Sequence, residues 1–170
     1  EAQDAVGTQV SARSSEVVHA GIYYPKTSKK AELCVRGRRM LYRFCEERNV
    51  PHLKTGKLVV ATAPDEIAKL HDLHALGAAN GVAGLEFLSP GELRQKEPGI
   101  NGTGALFSPE TGIVDSHAFM LAMQAEAESK GAIFVLKTPF RSERAVGRSF
   151  TVQVGLGSEA AELSSRVLIN

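Results

Sequence analysis

Residues 57–79 read KLVVATAPDEIAKLHDLHALGAA, a strand and a helix laid end to end. Lys57–Ala63 is rich in β-branched residues, the composition of a pleated, half-buried segment. Pro64 suits a first helical turn, where its missing N–H would be unpaired anyway, and Asp65 and Glu66 favour the positive end of the helix dipole. Ile67, Leu70, Leu73 or His74, and Gly77 then recur at three-to-four spacing up to about Ala79, where Asn80-Gly81 breaks the pattern. A strand feeding a helix is the repeating unit of a mixed α/β chain.

The same alternation extends outward. Upstream, Ser28 can cap a helix through Arg48 with Cys34, Gly37, Leu41, Phe44 and Cys45 as its stripe, stopped by Asn49 and Pro51. Gln3–Ser15 is small and polar, hence loop. Downstream, Gly84–Leu88 and Ala105–Ser108 read as short strands around a short helix, Ser89–Lys96. Asp115 or Ser116 caps a further helix to Lys130, with Phe119, Ala122, Met123 and Ala127 on one face and Gly131 as its stop. Strands are then expected at Ala132–Thr138, Arg141–Val146, Phe150–Leu156 and Arg166–Asn170. Helices alternate with strands early and strands cluster late, which predicts α/β with an antiparallel layer.

Composition narrows the function classes. With 43% apolar and 23% charged residues in 170, the chain can build a core. Its net charge of +1, from 20 basic and 19 acidic residues, argues against a nucleic-acid partner. No run of ~18 apolar residues occurs, so no transmembrane segment is expected. Cys34 and Cys45, on one helix, would lie ~16 Å apart, beyond disulfide reach. They are expected to be buried thiols of a reducing, intracellular compartment.

Several motifs invite a chemical reading. Gly155-Leu156-Gly157-Ser158-Glu159-Ala160 matches the dinucleotide fingerprint, but the next expected strand follows too soon for the helix that must receive a pyrophosphate. It is read as a turn between strands. His71 and His74 have chelating spacing without further ligands, so no metal site is expected. Asp115-Ser116-His117 has triad composition only, and helix capping accounts for it better. The dense stretch is Gly7–Pro25, which packs hydroxyls, Arg13, His19 and Gly21 together. Hydroxyls with an arginine suit an anionic phosphate ligand, and a glycine lets backbone approach a flat ring, although an ordinary polar loop has the same composition.

Four blocks carry a resemblance: Ser11–Pro25 (SARSSEVVHAGIYYP), Lys30–Gly37 (KAELCVRG), Gly56–Thr62 (GKLVVAT) and Ser108–His117 (SPETGIVDSH). In this order they resemble the FAD-dependent D-amino-acid-oxidase-like superfamily, and within it the L-2-hydroxyglutarate dehydrogenase branch. Val167–Asn170 is similar to the strand that leads into the family's Asn-Ala-Ala-Gly turn. Ser14 departs from the pattern, where the family usually has Asn. The resemblance implies a Rossmann-like FAD-binding domain in two pieces, 1–50 and 113–170, interrupted by part of an α+β substrate domain, 51–112. It also implies an internal fragment, lacking the family's N-terminal GxGxxG and its C-terminal half and inactive alone.

The site residues follow from that resemblance. Glu1 would meet the adenosine ribose; Thr8, Ser11, Arg13, Ser14 and Ser15 would meet the pyrophosphate and its surroundings. His19, Ala20 and Gly21 would lie near the isoalloxazine. His19 is the catalytic candidate, as a proton-transfer group, with a covalent flavin anchor and a structural histidine as the alternatives. The implied activity of the intact enzyme is FAD-dependent oxidation of L-2-hydroxyglutarate to 2-oxoglutarate, with oxygen or the quinone pool as electron acceptor. Cytoplasm or mitochondrion is expected, with membrane association left open. The alternatives are another superfamily activity, of glycerol-3-phosphate dehydrogenase or amino-acid oxidase type, or a non-catalytic truncated module.

Overall fold

The computed structural model describes residues 1–169; Asn170, the last residue of the strand expected from Arg166, lies outside them. The chain divides into two units, one of residues 14–119 and one of residues 1–13 with residues from 120 onward.

In the 14–119 unit the order is β1 (Val17–Val18), α1 (Lys29–Arg48), β2 (His52–Leu53), β3 (Lys57–Ala61), α2 (Ile67–Ala79), β4 (Glu86–Leu88), α3 (Pro90–Lys96), β5 (Gly104–Ser108) and β6 (Gly112–Val114). Two antiparallel three-stranded sheets result, ordered β1-β6-β2 and β3-β5-β4. Val59 and Leu85 pack against two buried clusters, Ala20 with Ile22, Val35 and Val82, and Ala61 with Leu70 and Leu106.

The helix ends follow the sequence signals. Ser28 accepts the Ala31 N–H at 3.1 Å and opens α1. At Ser89 a full capping box forms with Glu92, and Pro90 occupies the first turn of α3. Pro64–Glu66 forms a single 3-10 turn, and the α-helix proper begins at Ile67. Asn49 closes α1 in the left-handed region at φ 54°, its N–H donating to Cys45 O. A Cβ is strained there, so Asn49→Gly should raise stability by ~0.5 kcal/mol, read from urea midpoints. A loss of stability instead would give the Asn49 side chain a role of its own.

The buried stripe of α1 differs from the expected one. Ala31, Val35, Arg38, Tyr42 and Cys45 are buried; Cys34, Leu41 and Phe44 are half-buried and Gly37 is exposed. The stripe still has helical period but is rotated, because the wall it meets accepts small residues and one arginine that finds partners.

Helix α4 (Ser116–Ser129) is capped by Asp115, whose Oδ1 accepts the Ala118 N–H at 2.8 Å. The second unit then carries β7 (Phe140–Val146), β8 (Ser149–Val154) and β9 (Ala161–Ser165), an antiparallel meander. Two expected strands are corrected here. Ala132–Thr138 forms no strand: Ala132 N still closes onto Ala127 O at 3.0 Å, and only the far end meets Glu1–Gln3, through Lys137 N to Gln3 O at 2.8 Å and Thr138 N to Glu1 O at 2.9 Å. An apolar run becomes a strand only with pairing along its length. Residues 166–169 likewise form none, while β9 arises just before them, where the composition AELSS gives no strand signal. Gly155–Ala160 is the turn joining β8 to β9, with a 3-10 turn at Gly157–Glu159, as expected.

Candidate active site

The stretch from His19 to Tyr24 has almost no regular structure, yet side chains hold its carbonyls one after another. Cys34 Sγ donates to His19 O at 3.3 Å, and Arg38 Nη1 to Ala20 O at 2.9 Å. Asn80 Nδ2 donates to both Gly21 O, at 2.9 Å, and Tyr24 O, at 2.8 Å. Four carbonyls of the segment are thus held by side chains, and its path is fixed. Arg38 also pairs with Glu110 at 3.2 Å, and Tyr42 donates to the Glu110 carbonyl at 3.2 Å. The clamp therefore ties α1, the end of α2 and the β5–β6 turn to one backbone.

Ala20 and Gly21 are buried. Gly21 lies at φ 101°, and a Cβ there would stand 2.9 Å from Val35 Cγ2, so the protein's own packing already requires glycine. His19 is exposed, and its ring makes no hydrogen bond among the described residues. Partial burial lowers its pKa below the ordinary 6.5, and the charges of Lys57 and Lys30 push in the same direction. A neutral imidazole, able to accept a proton, is thus the form at neutral pH. Burial raises the pKa of Cys34 and Cys45, so both are thiols rather than thiolates. Cys45 is buried as expected; Cys34 is only half-buried, because its sulfur reaches the His19 carbonyl.

Ser14 and Ser15 are exposed, and Ser14 Oγ accepts the Glu16 N–H at 3.1 Å. In the other unit, Glu1, Thr8 and Ser11 share a cavity of about 480 Å³ with Gly7, Met120 and Phe134. A Cβ on Gly7 would run into the Met120 side chain, so glycine keeps that cradle open. One carboxylate oxygen of Glu1 accepts the Gln3 N–H at 2.9 Å and the other stays available to hydroxyl donors. A carboxylate, two hydroxyls and an apolar wall of methionine and phenylalanine fit the ribose and flat base of a dinucleotide. Arg13, at the end of a 3-10 turn, is exposed, and its guanidinium has no partner among the described residues.

The remaining motifs have structural employment. His74 stacks on Phe87 and His71 meets the same ring at a tilt, with ring centroids 4.9 and 4.5 Å away. Ser116 Oγ donates to Glu16 Oε1 at 2.8 Å, beside the Asp115 cap. Arg38 and Asn80 are the site residues that reading the sequence missed. Asn80 looks like a helix breaker only, but Arg38 gives a signal: a charge at i+3 and i+7 from Val35 and Ala31, on a stripe of small residues.

Comparison with known proteins gives the class first. The model of the FAD dependent oxidoreductase family matches residues 1–170, and the chain belongs to that family. The fold agrees: an L-alpha-glycerophosphate oxidase from Mycoplasma pneumoniae with FAD bound superposes with a TM-score of 0.85 at 20% identity, over 93% of this chain and 43% of that one.

Within the family, similarity points to one branch. The mitochondrial L-2-hydroxyglutarate dehydrogenase of Arabidopsis thaliana is 52% identical over 123 residues, 72% of this chain and 26% of its own length. The human enzyme of the same name is 38% identical over 118 residues, 69% of this chain and 26% of its own length. The chain thus spans about a quarter of these relatives.

Proposed function

We propose that the whole protein uses FAD to oxidise L-2-hydroxyglutarate to 2-oxoglutarate. The observation that carries this reading is the clamped His19–Tyr24 segment, which presents an unbonded, neutral imidazole from a fixed backbone. Likeness to dehydrogenases of that name supports the substrate. FAD, when bound, supplies the two-electron acceptor. Glu1 would hold its adenosine ribose, and Thr8, Ser11, Arg13, Ser14 and Ser15 its pyrophosphate and the surface around it. His19 lies at the reacting end, where its ring nitrogen takes the proton of the C2 hydroxyl as C2 is oxidised. Residues 1–50 and 113–170 are assigned to the FAD-binding domain and 51–112 to the substrate domain. Oxygen or the quinone pool takes the electrons onward. The word mitochondrial in the relatives' names supports a mitochondrial site of action. Among the described residues no helix is long and apolar enough to cross a membrane.

Anaerobic titration of the purified full-length protein tests the reading. L-2-Hydroxyglutarate should bleach a stoichiometric flavin, and its D enantiomer should not. Bleaching by glycerol 3-phosphate or glycine in its place, or a protein without flavin, would overturn the assignment.

A further inference from the structure

Two lysines flank the fixed segment from opposite sides. Lys30, Cys34 and Arg38 follow at four-residue steps on one face of α1, and each meets the same stretch: Tyr24, His19 and Ala20 in turn. On the other side, Lys57 shares a face of β3 with Val59, which packs on the Ala20–Ile22 cluster. Lys57 Nζ sits 4.8 Å from the Tyr23 ring centre and Lys30 Nζ 4.6 Å from that of Tyr24. Each ammonium is therefore seated on an aromatic face, which restrains it without neutralising its charge. Neither has a carboxylate within ion-pair distance among the described residues, whereas Lys29, Lys69 and Lys130 each do.

Two like charges thus stand restrained near a neutral imidazole, each held by a ring and neither matched by a carboxylate among the described residues. Their arrangement becomes favourable when an anion of matching charge lies between them, because charge-assisted hydrogen bonds then form without reordering the side chains. We propose that Lys30 and Lys57, on either side of His19, form a two-cation reception site for a dicarboxylate substrate. The inference rests on the oxidoreductase reading for the identity of that substrate, but the charge pattern stands without it. Two cations select a dianion over a monocarboxylate by the second contact, which a monocarboxylate cannot make. Neither lysine is buried, so both can be changed without opening the core.

The test uses the full-length, flavin-loaded protein and glutarate, a dicarboxylate that lacks the reacting hydroxyl, followed by the change it causes in flavin absorbance. Butyrate is the single-charge control. Lys57→Met and Lys30→Met should each weaken glutarate binding about 10-fold, and the double variant about 100-fold, with butyrate shifted less. Lys57→Arg, which keeps the charge, should stay within about 2-fold of the parent. A double variant that binds glutarate as the parent does would overturn the site. So would a parent that binds glutarate no better than butyrate, or variants that lose flavin, since the lysines would then serve the cofactor. If glutarate binding behaves as expected but L-2-hydroxyglutarate does not bleach the flavin, the reaction assignment fails and the dicarboxylate site remains.

Discussion

In the full-length, flavin-loaded protein, His19→Asn should lower kcat/KM for L-2-hydroxyglutarate by ~100-fold or more, with flavin content and thermal stability unchanged. The backbone at this position is held by Cys34 rather than by the imidazole, so losing the ring should not move the segment. The pH profile gives an independent readout. The His19 pKa lies below 6.5, so the base form is present at neutral pH and is lost as pH falls through that value. Parent activity should therefore drop on an acidic limb below pH 6.5, and the asparagine variant should lack that limb. A loss of only a few fold with the limb intact would leave His19 a structural residue. Acid precipitation decides the covalent-anchor alternative: flavin colour held in the pellet marks an attached cofactor, and colour in the supernatant excludes it.

The second large effect is on stability. Arg38→Met should cost about 3 kcal/mol, within the range for breaking a buried ion pair from one side. Arg38 is 3% exposed, and its loss strands the Ala20 carbonyl and takes the partner from Glu110. The Glu110 side chain is 29% exposed and can be partly hydrated, which keeps the figure at the low end. Methionine fills the space, so the loss reads out the polar contacts rather than a cavity. Urea unfolding of parent and variant measures it. A change under 1 kcal/mol would mean that water replaces the guanidinium, and that the clamp on Ala20 contributes little.

How legible these features are in the sequence depends on how local their causes are. Ser28, Asn49 and Ser89 act within a turn of their own helices, and their signals read true. The Gly155 turn was separable from a dinucleotide loop by chain length alone. β9 was illegible because AELSS becomes a strand only by pairing with β8, Val152 opposite Leu163. Residues 132–138 mislead in the opposite way, since their apolar run reads as strand while Glu1–Gln3 offers only a short partner. The positions Thr8, Ser11 and His19 were flagged by composition and resemblance. Their supporting residues were not: Asn80 reaches carbonyls 59 and 56 residues away, and nothing near it in sequence reports that contact.

The register of the β1-β6-β2 sheet carries one more implication. Leu53 and Ile113 are partners across β2 and β6, so the chain leaves and re-enters this sheet at adjacent rungs. Everything between them is a closed excursion whose loops can change length at small closure cost, provided that Asn80, Val82 and Glu110 within it keep their contacts with Gly21, Ile22 and Arg38. Lys57 travels with that excursion, while His19 and Lys30 stay with the remainder. On the proposed reading, a change at Lys57 alone retunes which acid is admitted, whereas exchange of the whole excursion also removes Asn80 and releases the backbone that follows His19.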